Sequence, residues 1–199
     1  MFRCIYALLF LISSYSVASV SLIPTAGFNL DTPKLQGSSG VIASNGTVML
    51  AGGIGINIGL YKALEFEFGG YYSPRKYSYT TSLGAETDEL TSVVVPVLLR
   101  LRLSRFLSIG AGAFSGIGVG KVKASTSTTS VEYTYNEAQV HDLNYGVAGS
   151  FAIELPISKT LAFTIDGRYL YGLQDLLRAT TQKLETRELQ VLWGFRIIL

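Results

Sequence analysis

Apolar and polar side chains alternate with a period of two along most of the chain beyond residue 20, the signature of strands buried differently on their two faces. The clearest case sets Leu143, Tyr145, Val147, Phe151, Ile153 and Leu155 against Asp142, Asn144, Gly146, Ala148, Ser150, Ala152 and Glu154. From Leu161 the pattern repeats, with Phe163, Ile165, Tyr169 and Tyr171 opposing Ala162, Thr164, Asp166 and Arg168. At the C-terminus Leu189, Val191, Trp193, Phe195, Ile197 and Leu199 oppose Glu188, Gln190, Gly194 and Arg196. Leu64, Phe66 and Phe68 oppose Glu65 and Glu67, and Val95, Val97, Leu99, Leu101 and Leu103 oppose Arg100 and Arg102. Weaker alternation at about 20–30, 47–58 and 106–119 brings the predicted strands to eight. Every strand has one bulky apolar face and one face that is small, polar or charged.

The predicted connections alternate in length. Short turns fall at Gly59–Lys62, Ser104–Arg105 and Pro156–Thr160, and long polar connections at about 31–46, 74–90, 120–139 and 174–184. The Ser/Thr-rich run Ala124–Ser130 reads as a flexible, solvated loop. No fixed-period repeat and no domain linker interrupts the pattern. An even number of strands with both ends on the short-turn side is the connectivity of an up-and-down barrel, with tight turns at one rim and long loops at the other.

Composition decides which face meets water. The 199 residues are 48% hydrophobic and only 15% charged, with a mean hydropathy of +0.35. That excludes a disordered chain and is apolar for a water-soluble domain, yet no apolar run beyond the first twenty residues approaches the ~18 residues a spanning helix needs. A soluble eight-stranded barrel turns its apolar face inward around a ligand; a membrane barrel turns it outward. The second face here carries Gly52–Gly59 alternations, Gly110, Gly112, Gly146 and Gly194 together with pairable charges, a set that fits the narrow lumen of eight strands. Aromatic residues sit at strand ends, Tyr71, Tyr72, Tyr133, Tyr135, Tyr169 and Tyr171 toward the long loops and Tyr61 and Phe106 at the short turns, as interfacial girdles would. The expected fold is all-β, an eight-stranded antiparallel up-and-down transmembrane β-barrel over residues 19–199.

The N-terminus reads as a cleavable signal peptide over residues 1–18: basic Arg3, an apolar stretch Cys4–Ile12, and the small-x-small signal Ser16-Val17-Ala18. Cleavage there removes the one cysteine, so the mature chain can form neither a disulfide nor a thiolate metal site. It also leaves a net charge near +1, since sixteen basic residues less Arg3 stand against fourteen acids. So even a balance predicts no nucleic-acid partner.

With these features the chain resembles the small outer-membrane β-barrel family that includes the OmpA transmembrane domain and OmpX-like proteins, over about Val20 to Leu199. The terminal run Gly194-Phe195-Arg196-Ile197-Ile198-Leu199 is similar to the family's assembly signal, with Gly194, Ile197 and Leu199 in its positions. It departs in ending on leucine rather than an aromatic and in placing Leu192 at a polar position. The resemblance implies a cell outer-membrane location in a Gram-negative envelope. It also implies outer-membrane lipid, lipopolysaccharide and the outer-membrane assembly machinery as partners.

Catalytic chemistry has little to stand on. His141 is the one histidine, and its neighbour Asp142 points to the opposite face of a strand. Lipid A deacylases of this architecture carry a histidine-x-serine pattern, where this chain has His141-Asp142-Leu143. Gly52-Gly53-Ile54-Gly55 and Gly110-Ala111-Gly112 lack the Lys-Ser/Thr ending and following helix of a phosphate loop. Glu86, Asp88 and Glu89 lack a calcium-loop pattern. Arg75, Lys76, Lys121 and Lys123, read as external, could meet lipopolysaccharide phosphates. No cofactor and no metal is expected.

The inward charges are the candidate site. With level rims, residues of the strands at 63–73 and 91–103 pair with numbers summing to about 167, so Glu65 faces Arg102 and Glu67 faces Arg100. Asp166, Arg168, Glu188 and Arg196 form a second inward group on the last two strands. Unpaired charge in so confined an interior is costly, so pairing is required. The expected function is a monomeric, non-enzymatic outer-membrane barrel with a structural or surface-interaction role, its loops contacting an extracellular ligand that composition does not encode. A narrow porin-like channel, a lipid-modifying enzyme and a soluble ligand-binding barrel are the alternatives.

Overall fold

The computed structural model describes residues 19–32, 34–36, 41–81, 84–126, 129–138, 140–176 and 183–199. The expected leader, residues 1–18, lies outside them. Eight strands form the barrel: β1 (Val20–Asp31), β2 (Val48–Tyr61), β3 (Leu64–Thr81), β4 (Gly84–Arg102), β5 (Leu107–Gly118), β6 (Leu143–Pro156), β7 (Leu161–Gly172) and β8 (Arg187–Ile198). Each pairs antiparallel with its sequence neighbours, and β8 pairs with β1. The barrel is therefore closed, and no helix occurs among the described residues.

Alternation places the side chains as the pattern requires. On β6, Leu143, Tyr145, Val147, Phe151 and Leu155 are exposed to the surroundings of the barrel while Asn144, Gly146, Ala148, Ala152 and Glu154 are buried within it. Leu99, Leu101, Ile109, Val191, Trp193 and Phe195 extend the outer apolar belt around the other strands. This is a core turned inside out, its outward face matched to hydrocarbon. Glycine lets neighbouring backbones close up: a Cβ on Gly194 would lie 2.0 Å from the Pro24 carbonyl oxygen across the β1–β8 seam.

All four expected long connections carry paired strand. The stretch 74–90 is not a polar loop, because β3 and β4 continue as one hairpin whose pairing runs to Thr81 and Gly84. Pro74 sits opposite Thr91 with no interruption in the register. Nor is Ala124–Ser130 solely a solvated loop: Val122–Thr126 pairs with Glu86–Glu89 of β4, and Ser130–Tyr133 folds back on it. On the other side Val41–Gly46 pairs with the top of β3. Together these segments raise one side of the long-loop rim into a five-stranded antiparallel wall. On β4, residues 84–91 stand beyond the last rung shared with β5, at Ser92 and Gly118. At ~3.3 Å per residue the wall rises roughly 25 Å above that rung.

Candidate functional site: an ion-paired lumen beneath an external wall

Charged residues on neighbouring strands meet at common heights in the lumen, in layers. Nearest the short turns, Arg102 contacts Glu65 at 2.6 Å and Glu154 at 2.8 Å. Arg196 spans the bore to the same two carboxylates at 2.7 and 3.1 Å, and its Nε donates to the Ser21 hydroxyl. One step deeper, Glu67 and Asp166 are shared by two guanidiniums. Arg100 lies 2.6 Å from Glu67 and 2.9 Å from Asp166; Arg168 lies 2.6 and 2.8 Å from the same pair. Each layer holds two acids and two arginines, so each is neutral. Glu67 is fully enclosed, with 0% of its surface exposed.

Above these layers the lumen turns apolar. Val94, Leu98, Phe114, Ala148 and Leu170 pack together, as do Ala51, Tyr71 and Leu192. The Arg168 guanidinium lies over the Tyr71 ring, 4.3 Å from its centroid, and joins the apolar level to the charged one. A third polar layer follows. Arg75 contacts Glu188 at 2.8 Å and Asp31 at 3.3 Å, Tyr77 donates its hydroxyl to Asp31, and Asn29, Ser73 and Gln190 donate to Glu188. The mouth is then covered by a second apolar cluster of Tyr77, Leu90, Val122, Val140 and Leu176, with Tyr135 and Ala138 against it. The Tyr135 hydroxyl donates to the Thr91 carbonyl, and the His141 amide donates to the Leu176 carbonyl, tying the two loops to the wall and to each other. Burial pushes the Tyr135 phenol above its ordinary range.

All eight charges expected inside lie inside, but they are grouped differently. The β3–β4 register sums to 165, with Glu65 opposite Arg100 and Glu67 opposite Leu98. The pairs Glu65–Arg102 and Glu67–Arg100 form all the same, because an arginine reaches diagonally to the next position on its own face. They belong to separate layers rather than to one cluster. The second expected group is dispersed: Arg196 joins Glu65, Asp166 and Arg168 join Glu67, and Glu188 joins Arg75. Arg75 is not an external cation; it is buried in the third layer. Tyr71 and Tyr135 are not girdle residues, since Tyr71 is only 1% exposed within the lumen and Tyr135 packs under the lid. Tyr61, Tyr72, Tyr169 and Phe106 do face outward.

The remaining candidates are separated by the wall. Glu89 pairs with Lys76 on its outer surface, whereas Glu86 and Asp88 line an open concavity of about 320 Å³ with Thr126, Val131 and Tyr133. Among the described residues no group of acids, histidine and cysteine is placed to hold a metal ion. Lys121 pairs with Glu132. His141 borders a cavity of about 20 Å³ with Ser92, Asp142 and Asn144, room for a single water molecule and not for an acyl chain. The Ser92 hydroxyl is committed to the Ser73 carbonyl at 3.1 Å.

A model of the outer membrane protein beta-barrel domain matches residues 18–178. The chain belongs to the outer membrane β-barrel family. Its location is accordingly the outer membrane, and the exposed apolar belt is the lipid-facing surface. Among solved structures, this family member is similar to OprG from Pseudomonas aeruginosa, with a TM-score of 0.58 at 13% identity over 92% of this chain and 96% of that one. It is similar also to the Neisserial surface protein A, with a TM-score of 0.53 at 12% identity over 92% of this chain and all of that one. At such identities the likeness is one of fold. No curated protein matches the chain.

Proposed function

We propose that this protein is a non-conducting, non-enzymatic outer-membrane barrel that works as a rigid base for an external contact surface, the five-stranded wall. The observation that carries this reading is the filled bore: three polar layers, one apolar level and an apolar lid occupy successive heights of the lumen. A conducting channel needs a continuous water path, and eight strands leave an interior that side chains alone can fill. Catalysis needs a nucleophile, a base and space for substrate, and the cavity beside His141 has room only for water. The wall, by contrast, is a sheet that stands beyond the last rung of the barrel on the long-loop side, a placement suited to binding at the cell surface.

The test is to shorten the wall without touching the barrel. Tyr77 and Asp88 are register partners, so residues 78–87 can be replaced by a two-residue Asn-Gly turn that closes the hairpin at that rung. Cells carrying the shortened protein should keep a folded barrel in the outer membrane and lose the adhesion or cell–cell contact that the full-length protein confers. Unchanged contact with the wall removed would contradict the proposal.

A further inference from the structure

We propose that the three tight turns at the rim opposite the wall bind the phosphate headgroups of anionic phospholipid, through Lys62, Arg105 and Lys159. The argument begins with charge pairing. Elsewhere in the barrel and wall, Arg75, Lys76, Arg100, Arg102, Lys121, Arg168, Arg187 and Arg196 each have a carboxylate within ion-pair distance. Among the residues whose side chains are described, Lys62, Arg105 and Lys159 have none; of the basic residues outside these turns, Lys123 alone shares that state. The turns Gly59–Ala63, Leu103–Phe106 and Pro156–Thr160 contain three cations and no acid. Glu65 and Glu154, the nearest carboxylates inward, are each held between Arg102 and Arg196.

Each cation also has apolar company that belongs in a bilayer. Leu60 and Tyr61 precede Lys62, Leu103 and Phe106 flank Arg105, and Ile157 lies two residues before Lys159; all five are exposed on the outside of the barrel. The Lys62 ammonium lies 5.2 Å from the Tyr61 ring centroid and the Arg105 guanidinium 4.5 Å from that of Phe106. An aromatic anchor beside a long cation is the composition of a side chain held at headgroup level, its stem in the apolar layer and its charge in the phosphate plane. The backbone adds a third observation. Lys62 has φ of +40°, in the left-handed region, a position where glycine or asparagine is the low-cost choice in a two-residue turn. Lysine at that position carries a backbone cost that glycine would not.

The test uses Trp193, the single tryptophan, which faces lipid and is paired with Ile165 on the strand that leads from the Lys159 turn. The full barrel is folded into phosphatidylcholine vesicles containing brominated phosphatidylglycerol or brominated phosphatidylcholine, and quenching of Trp193 gives the relative affinity of the two lipids. At low salt the parent protein should favour phosphatidylglycerol about two- to five-fold, and 1 M NaCl should abolish the preference. Lys159→Gln should lower the preference most, Arg105→Gln on the far side should barely change it at this reporter, and the triple variant Lys62→Gln/Arg105→Gln/Lys159→Gln should have none. Circular dichroism and apparent unfolding midpoint in neutral lipid should be unchanged in all of them, because none of the three side chains is buried. Equal quenching by both lipids in the parent, or a preference that survives in the triple variant, would overturn the proposal. So would loss of the preference to inorganic phosphate at an ionic strength where chloride has no effect, which would make the turns a free-anion site.

Discussion

Neutralising Glu67 is the sharpest perturbation of the lumen, because one carboxylate serves two arginines. Its oxygens lie 2.6 Å from Arg100 and 2.6 Å from Arg168, and no part of it reaches solvent. Glu67→Gln keeps the shape and removes the charge, leaving Arg100 and Arg168 with Asp166 alone and the layer one positive charge in excess. A unit-charge contact near 4 Å is worth about 4 kcal/mol at an effective dielectric constant of 20, and breaking a buried pair by removing one partner costs about 3–5 kcal/mol. The single change should therefore lower stability by about 3–4 kcal/mol. Arg100→Met alone leaves Glu67 with Arg168 and the layer one negative charge in excess, at a comparable cost. In the double variant Asp166 and Arg168 remain paired at 2.8 Å and the layer is neutral again, so the combined cost should fall short of the sum by about 2–3 kcal/mol. Reversible urea unfolding of the vesicle-inserted barrel, followed by Trp193 emission, measures all four corners of the cycle. Additivity within about 0.5 kcal/mol would refute the reasoning.

Further expectations follow from the same geometry. Val147 faces lipid on β6, so Val147→Arg should cost roughly 2–4 kcal/mol in refolding titrations. Ala148, its inward neighbour, packs against Phe114 and Leu170 with no acid beside it; Ala148→Arg should therefore be as poorly tolerated, and not milder as the bare alternation implies. Gly194→Ala brings a methyl against the Pro24 carbonyl at the β1–β8 seam and should destabilise closure by about 1–3 kcal/mol, read as a lower unfolding midpoint. In the wall, outside the membrane-spanning part of β4, burial and the neighbouring Glu86 push the Asp88 carboxyl above its ordinary range. An acid raised in this way destabilises the folded state when ionised, a penalty that shrinks as pH falls through its folded-state value and is gone below its ordinary one. Asp88→Asn should therefore protect the wall from proteolysis at neutral pH and make no difference in acid.

The barrel was legible from alternation because membrane strands sort side chains so cleanly: every segment from Leu64 onward that read as a strand is one. The lumen was legible as a list of charges but not as layers. Which acid meets which arginine depends on the stagger of eight strands, and a shift of two residues in one register preserves the faces while changing the heights. Arg75 shows where reading stopped too soon. The inward positions Glu65, Glu67, Tyr71, Ser73, Arg75 and Tyr77 are all buried and all odd-numbered, so the period carries straight through Pro74 into the stretch that read as a long polar connection. Asp31 and Glu154 also lie on inward faces, with the odd-numbered residues of β1 and the even-numbered residues of β6, and complete layers that the eight expected charges leave open. The wall was invisible for a different reason. Ser, Thr and charged residues on both faces of 78–89 and 122–133 give no hydrophobic alternation, and pairing there rests on backbone hydrogen bonds beyond the membrane.

Recording from single barrels in a planar bilayer tests the central claim most directly. With the lumen occupied by Glu65, Arg102, Glu154 and Arg196 at one level and Glu67, Arg100, Asp166 and Arg168 at the next, the parent protein should show no steady open state in 1 M KCl. Replacing Arg100, Arg168, Glu67 and Asp166 together by alanine should still pass no steady current, because the Arg102–Glu65 layer, the apolar level and the lid remain. A steady, ohmic conductance in the unmodified protein would contradict the account and establish the barrel as a channel.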